Sequence, residues 1–173
     1  MAVALDYVQL ALTCTRRAFV LAAPFTFIIS DGTLPRLSGP HRTVPIDRLD
    51  LLSTQDAFPA EKTGAGRTFL ALALRKATET FPHMITVGRT ANNDLVVPDV
   101  SISKLHAIFT QSPRGFELAD AGSKNGTWVA GVQLGPRGDP LAVRVGDRIR
   151  LGRIEFTCVD SGACWDTIDR MRR

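Results

Sequence analysis

Three short polar signatures lie between apolar runs from Val87 to Gly131, and their residue types are those that hold an oxyanion. Gly88-Arg89 closes the run Met84-Ile85-Thr86-Val87. Ser103-Lys104-Leu105-His106 opens Ala107-Ile108-Phe109, and Ser123-Lys124-Asn125-Gly126-Thr127 stands just ahead of Trp128-Val129. A guanidinium offers a planar fork of donors, an ammonium a mobile point charge, and hydroxyl and carboxamide groups neutral hydrogen bonds. Placed where strands meet loops, these groups supply what a phosphate-reading surface needs.

Other chemistries are poorly served. No nucleophile stands in a sequence pattern with a base, no paired-carboxylate motif appears, and Gly64-Ala65-Gly66 has neither a preceding strand nor a P-loop lysine. The three cysteines are odd in number and lack paired metal spacing, and the three histidines are isolated. The expectation is a non-enzymatic protein without metal or cofactor, its thiols reduced as in a cytoplasmic protein. A net charge of +4 and a pI near 9.3 favour an anionic partner. Most of that excess lies in residues 67–160, with 12 Lys and Arg against 9 Asp and Glu. Two of the four lysines, Lys104 and Lys124, fall inside the signatures. The remaining basic residues are scattered, aromatic residues make up only 7%, and no reader motif appears, which argues against nucleic acid.

The elements that must position the signatures follow from texture. After Gly66 the apolar runs shorten to between three and seven residues, separated by Gly, Pro, Asn and Asp. They are Thr68–Leu74, Met84–Val87, Leu95–Val97, Ala107–Thr110, Phe116–Leu118, Thr127–Val129, Leu141–Val145, Arg148–Leu151 and Ile154–Val159. Such spacing predicts an all-β sandwich or barrel. Asn125-Gly126 and Gly146-Asp147 suit tight reversals that need positive φ. The division expected is an N-terminal extension and linker over 1–66, a β domain over 67–160 and a tail over 161–173, the tail forming one short helix.

The extension reads as a short helix from Ala2 to Thr15, an apolar segment Ala18–Ile29 ending in a buried strand, a loop Thr33–Pro45, a short helix Ile46–Leu52 and a linker Gln55–Gly66. About a dozen apolar residues are too few to span a bilayer. Thr15-Arg16-Arg17-Ala18-Phe19-Val20 has the form of a twin-arginine export signal, but Pro24 interrupts the run and no small-x-small site follows. A folded extension on a cytoplasmic protein is expected over an exported one, with no membrane association.

In this order the signatures resemble the forkhead-associated (FHA) domain. The landmarks are Gly88-Arg89, Asn93-Asp94, Ser103-x-x-His106, Asp120-x-x-Ser123-x-Asn125-Gly126-Thr127-x-Val129-x-Gly131, and Gly146-Asp147-x-Ile149-x-Leu151-Gly152 with Phe156. The resemblance implies a twisted β-sandwich of about eleven short strands that binds phosphothreonine peptides through loops at one end. It further implies an adaptor in Ser/Thr kinase signalling, with a threonine-phosphorylated kinase or substrate as partner. Arg89, Ser103, Lys104 and Lys124 match phosphate-contacting positions, and Asn125 matches a residue that bonds the peptide backbone. Gly88, His106, Ser123 and Gly126 match residues that shape the loops. Lys124 stands where many relatives have Thr or Ser, and Ala130 where they often have Asn. Apart from the resemblance, Arg89, Lys104 and Lys124 read equally as solvated cations and Ser103 as a turn cap. The alternative function is a phosphate-independent scaffold using the sandwich and the extension.

Overall fold

The computed structural model describes residues 7–30, 62–63, 67–68, 70–77 and 83–172. Short β-rich runs broken by turn residues pair into a six-stranded and a five-stranded sheet that face each other. The strands are β1 (Phe27–Ser30), β2 (Lys62–Thr63), β3 (Arg67–Thr68), β4 (Leu70–Ala73), β5 (Met84–Gly88), β6 (Leu95–Val96) and β7 (Ala107–Ser112). They continue with β8 (Gly115–Asp120), β9 (Thr127–Val129), β10 (Val132–Gln133), β11 (Leu141–Val143), β12 (Arg148–Leu151) and β13 (Ile154–Val159). One sheet runs β10-β9-β12-β13-β1-β4 and the other β11-β8-β7-β5-β6, while β2 and β3 make a separate two-stranded ladder. All pairings are antiparallel except β5 with β6. This is the expected sandwich of about eleven strands.

The pleat decides which side chains meet. In β12, Ile149 and Leu151 are buried, Arg148 is exposed, and Arg150 lies over the Trp128 ring, 3.2 Å from its centroid. Between the sheets a core forms from Ile28, Leu72, Val87, Leu95, Phe109, Leu118, Ile149, Leu151 and Phe156, among others. The reversals sit where Gly was expected, with φ of 79° at Gly126 and 96° at Gly146. Ala130 and Gly131 both have positive φ in the two-residue turn joining β9 to β10. Asn tolerates that conformation better than Ala, which gives a physical sense to the departure at Ala130.

A second core lies on the outer side of the six-stranded sheet. Helices α1 (Tyr7–Thr13), α2 (Arg16–Ala22) and α3 (Ser161–Arg172) enclose Tyr7, Phe19, Phe27, Ile29, Ala71, Ala73, Val159, Cys164 and Ile168. Thr15 caps α2 by accepting from the Ala18 amide at 3.4 Å, and Asp160 caps α3 through the Ala163 amide at 2.8 Å. Ser161 Oγ donates to the Ala23 carbonyl at 2.6 Å, and Arg16 pairs with Asp166 at 2.9 Å. The arginine pair thus begins a short helix, and the apolar run after it divides into α2 and β1. Tyr7, Phe19, Ala23, Phe27 and Ile29 bury against the sandwich and the C-terminal helix, while Leu21 stays exposed.

β1 sits between β13 and β4, with Phe27 opposite both Val159 and Ala73. The sandwich therefore draws a strand from across the boundary placed at 66/67. Alternation cannot be read in β1 or β4, because their residues are buried on both faces. The predicted loop Thr33–Pro45, the helix Ile46–Leu52 and most of the linker lie outside the described residues. The cysteines Cys14, Cys158 and Cys164 are free, and burial pushes the thiols of Cys158 and Cys164 up to about 11 and about 12. Among the described residues no helix is long and apolar enough to cross a membrane.

Phe27 is fully buried, stands edge-on to Tyr7 at 5.3 Å and stacks with Phe19 at 6.2 Å. Phe27→Ala is expected to lower stability by about 3–5 kcal/mol. The measurement is the urea midpoint followed by far-UV circular dichroism and by tryptophan fluorescence, which should move together. A sandwich transition left in place would show β1 to be dispensable.

Candidate phosphate-binding site

The loop 121–126 has too few apolar residues to hold itself by burial, and a buried carboxylate organises it instead. Asp120, at the end of β8, accepts from the amides of Gly122 and Ser123, both at 2.8 Å, and from the hydroxyls of Ser123 and Thr127, both at 2.6 Å. Burial works to raise its pKa, but the Ser123 and Thr127 hydroxyls and the two amides outweigh it, leaving the carboxyl below its ordinary value. Ser123 Oγ in turn accepts from the Gly126 amide at 2.9 Å. Ser123 is therefore turned inward, and Lys124 and Asn125 form the exposed tip.

The two preceding loops, 88–94 and 97–106, are tied in the same manner. Buried Asn93 donates from Nδ2 to the carbonyls of Lys104 at 2.7 Å and Thr90 at 2.8 Å. Gly88 sits beneath this crossing, and a Cβ built on it would lie 2.1 Å from the Lys104 carbonyl oxygen. Asp94 is buried, pairs with Lys76 at 2.8 Å and accepts from the amide and hydroxyl of Thr86 at 2.8 and 2.9 Å. Asp99 is gripped by both Nε and Nη2 of Arg153 and accepts from the Ser101 amide at 2.8 Å. Burial acts to raise Asp99 as well, and Arg153 and Ser101 hold it below its ordinary value.

His106, fully buried, links two of these loops. Its Nδ1 accepts from the Ser103 amide at 3.0 Å, so its Nε2 carries the proton and donates to the Gly126 carbonyl at 3.0 Å. Desolvation lowers its pKa, against the opposing pull of Gly126 and Asp120. It is a neutral strut with both ring nitrogens occupied.

On this frame the named residues converge. The Arg89 amide donates to the Ser103 carbonyl at 2.9 Å, and the Lys124 amide donates to Ser103 Oγ at 3.1 Å. Arg89 Nε donates to the Ile102 carbonyl at 3.1 Å, which orients an exposed guanidinium whose Nη groups have no partner among the described residues. The Ser103 hydroxyl accepts one bond and keeps its own hydrogen to donate. Lys104 is exposed, and its carbonyl accepts from Asn93 and Thr90. Asn125 donates from Nδ2 to the Ser101 carbonyl at 2.8 Å, leaving Oδ1 as an outward acceptor. The arrangement offers cations and hydroxyl donors, groups that can hold an anion. Among the described residues no group of three His, Cys, Asp or Glu side chains is placed to hold a metal ion.

The family profile of the FHA domain matches residues 85–152. This chain carries an FHA domain. An ABC transporter ATP-binding/permease protein of Mycobacterium tuberculosis is 32% identical over 71% of this chain and 14% of its own length. An oxoglutarate dehydrogenase inhibitor of Corynebacterium diphtheriae is 32% identical over 43% of the chain and 50% of its own. The chain thus spans half or less of these two relatives. Among solved structures, the second FHA domain of the M. tuberculosis transporter is 33% identical over 51% of this chain and 78% of that one, with a TM-score of 0.40.

The resemblance singles out Arg89, Ser103, Lys104, Lys124 and Asn125 at the loop surfaces, and Gly88, His106, Ser123 and Gly126 as shapers of the loops. Asn93, Asp94, Asp99, Asp120, Thr127 and Arg153, which build the loops from beneath, were landmarks at most. The available signal was an acid or amide at the end of an apolar run beside turn residues, as in Asp120-Ala121-Gly122-Ser123.

Two outcomes are expected. Gly88→Ala forces the Lys104 strand-to-loop junction apart and costs about 1–3 kcal/mol of stability, as overpacking does, checked by denaturant titration. The second concerns pH. The unfolded chain protonates His106 near the ordinary value of 6.5 while the folded chain resists, so stability falls as pH drops through that value. Asp99 and Asp120 are shifted down from 3.8, so their contribution is full well above that value and is lost as pH falls from it through their folded values. Between about pH 7 and about pH 5 the urea midpoint should therefore fall in the wild type and stay flatter in His106→Gln.

Proposed function

We propose that this FHA domain reads phosphothreonine peptides and serves as a cytoplasmic adaptor in Ser/Thr kinase signalling. Its partner is a threonine-phosphorylated protein, either a kinase or a kinase substrate. A phosphothreonine carries about −1.5 to −2 charges and three acceptor oxygens. The observation that supports the reading best is the junction of three loops at Ser103, whose carbonyl and hydroxyl hold the backbones of Arg89 and Lys124. One oriented guanidinium, one hydroxyl and two flexible ammonium groups are then available to one phosphate. The family's mode of phospho-motif recognition agrees with that inventory. Asn125 Oδ1 and the exposed loop tips remain for the peptide backbone.

The scaffold reading is less well supported. It needs an apolar surface left for a partner, whereas Phe19, Phe27 and Ile29 of the N-terminal segment are buried within the chain.

Fluorescence anisotropy with phosphothreonine, phosphoserine and unphosphorylated peptide pools tests the proposal. Binding confined to the phosphorylated pools is expected, stronger for phosphothreonine. Arg89→Ala should weaken it by about 2–5 kcal/mol, because the phosphate charge loses its fork of donors. Equal affinity in the wild type and Arg89→Ala would overturn the reading.

A further inference from the structure

Arg137 did not stand out in the sequence, yet it is bolted to the same residue that organises the binding loop. Its amide donates to the Asp120 carbonyl at 3.0 Å, next to a parallel bridge between Asp120 and Pro136. Its φ of 56° lies in the left-handed region, an uncommon and costly conformation for a side chain of this size. That backbone directs the side chain across Gly122. A Cβ built on Gly122 would lie 3.3 Å from Arg137 Nε and 3.8 Å from its Cγ and Cζ. The guanidinium stem thus lies along bare backbone at the start of the loop that continues into Ser123, Lys124 and Asn125.

Arg137 carries a permanent positive charge. It is exposed, and it forms no ion pair among the described residues, unlike Arg16, Lys76 and Arg153. Asp139, two residues on, is exposed but makes no ion pair with it. The carboxylates of the neighbouring loops, Asp94, Asp99 and Asp120, are all buried and bonded inward. Arg89, Lys104, Lys124 and Arg137 therefore edge one set of loops with more positive charge than a single phosphate neutralises.

We propose that Arg137 is a specificity-determining contact for a second anionic group, carboxylate or phosphate, carried by the peptide beside its phosphothreonine. The preferred ligand of the site is then an acidic phosphopeptide. The inference rests on the phosphothreonine reading, since both groups belong to one peptide. The left-handed backbone at Arg137 sets its side chain off on the side of Gly122, beside the loop that carries Ser123, Lys124 and Asn125.

The test is anisotropy on wild type, Arg137→Ala, Arg137→Lys and Arg89→Ala. The probes are a phosphothreonine peptide with alanine flanks, the same peptide with Glu at each flanking position in turn, and versions with a second phosphothreonine there. The readout is the affinity ratio of acidic to alanine-flanked peptide, in which any general loss of fold cancels. In the wild type that ratio should reach about fivefold or more at one stretch of positions, the upper range of an exposed ion pair. It should fall to near unity in Arg137→Ala and be partly retained in Arg137→Lys. A gain larger for the second phosphate than for Glu identifies phosphate as the source, and a gain no larger identifies a carboxylate. A wild-type protein that binds the alanine-flanked peptide without acidic preference overturns this proposal alone, as does an equal ratio in Arg137→Ala. Failure of the wild type to bind any phosphothreonine peptide, or equal binding by Arg89→Ala, overturns the phosphothreonine reading and this proposal with it.

Discussion

The carboxylate of Asp120 is the constraint on which the site depends. It is buried, so it must be satisfied from within the chain, and it takes two amides and two hydroxyls from the next seven residues. Those bonds convert a short polar segment into a fixed loop whose tip presents Lys124 and Asn125. Without such a centre the loop would have to be ordered by apolar burial, which its composition does not provide. The same residue's carbonyl fixes Arg137, so the rim cation and the binding loop share one anchor.

Around it the design is repeated with different partners. Asp94 with Lys76 and Thr86, Asp99 with Arg153 and Ser101, and Asn93 with the Lys104 carbonyl each hold a loop by a buried polar group facing inward. Acidic groups are thereby consumed beneath the surface, while Arg89, Lys104 and Lys124 stay exposed above it. The result is a positive surface built on a negative foundation. An anion approaching the loop tips meets donors and cations, while the carboxylates beneath face inward, Asp94 toward Lys76, Asp99 toward Arg153 and Asp120 toward amides and hydroxyls of its own loop.

The sandwich positions these loops because β5, β6, β7, β8 and β9 border them, and its rigidity comes from two cores. The inner core lies between the sheets; the outer one joins the three helices to β1, β4 and β13. Two-sided burial of β1 and β4 ties Phe27–Ser30 into the six-stranded sheet. It also explains why residues on both sides of the chain's long intervening segment belong to one sheet.

Much of this was legible in the sequence. Period-two alternation in Arg148–Leu151, turn glycines at Gly126 and Gly146, and the short β-rich runs determined the strands from Met84 onward except the two-residue β10, because each signal is local. The loop signatures at Arg89, Ser103 and Asn125 were readable for the same reason. What the sequence left open depends on long-range contact. Phe27–Ile29 reads as a buried strand ending in a turn, but only the tertiary structure inserts it between β13 and β4. Lys76 and Asp94, or Arg153 and Asp99, are far enough apart in sequence that no periodicity links them. Arg137 carries no local mark of its place over Gly122, since that depends on a bond to the Asp120 carbonyl and a left-handed backbone. Local pattern determined the strands and the donors; the burial of distant polar partners decided where those donors point.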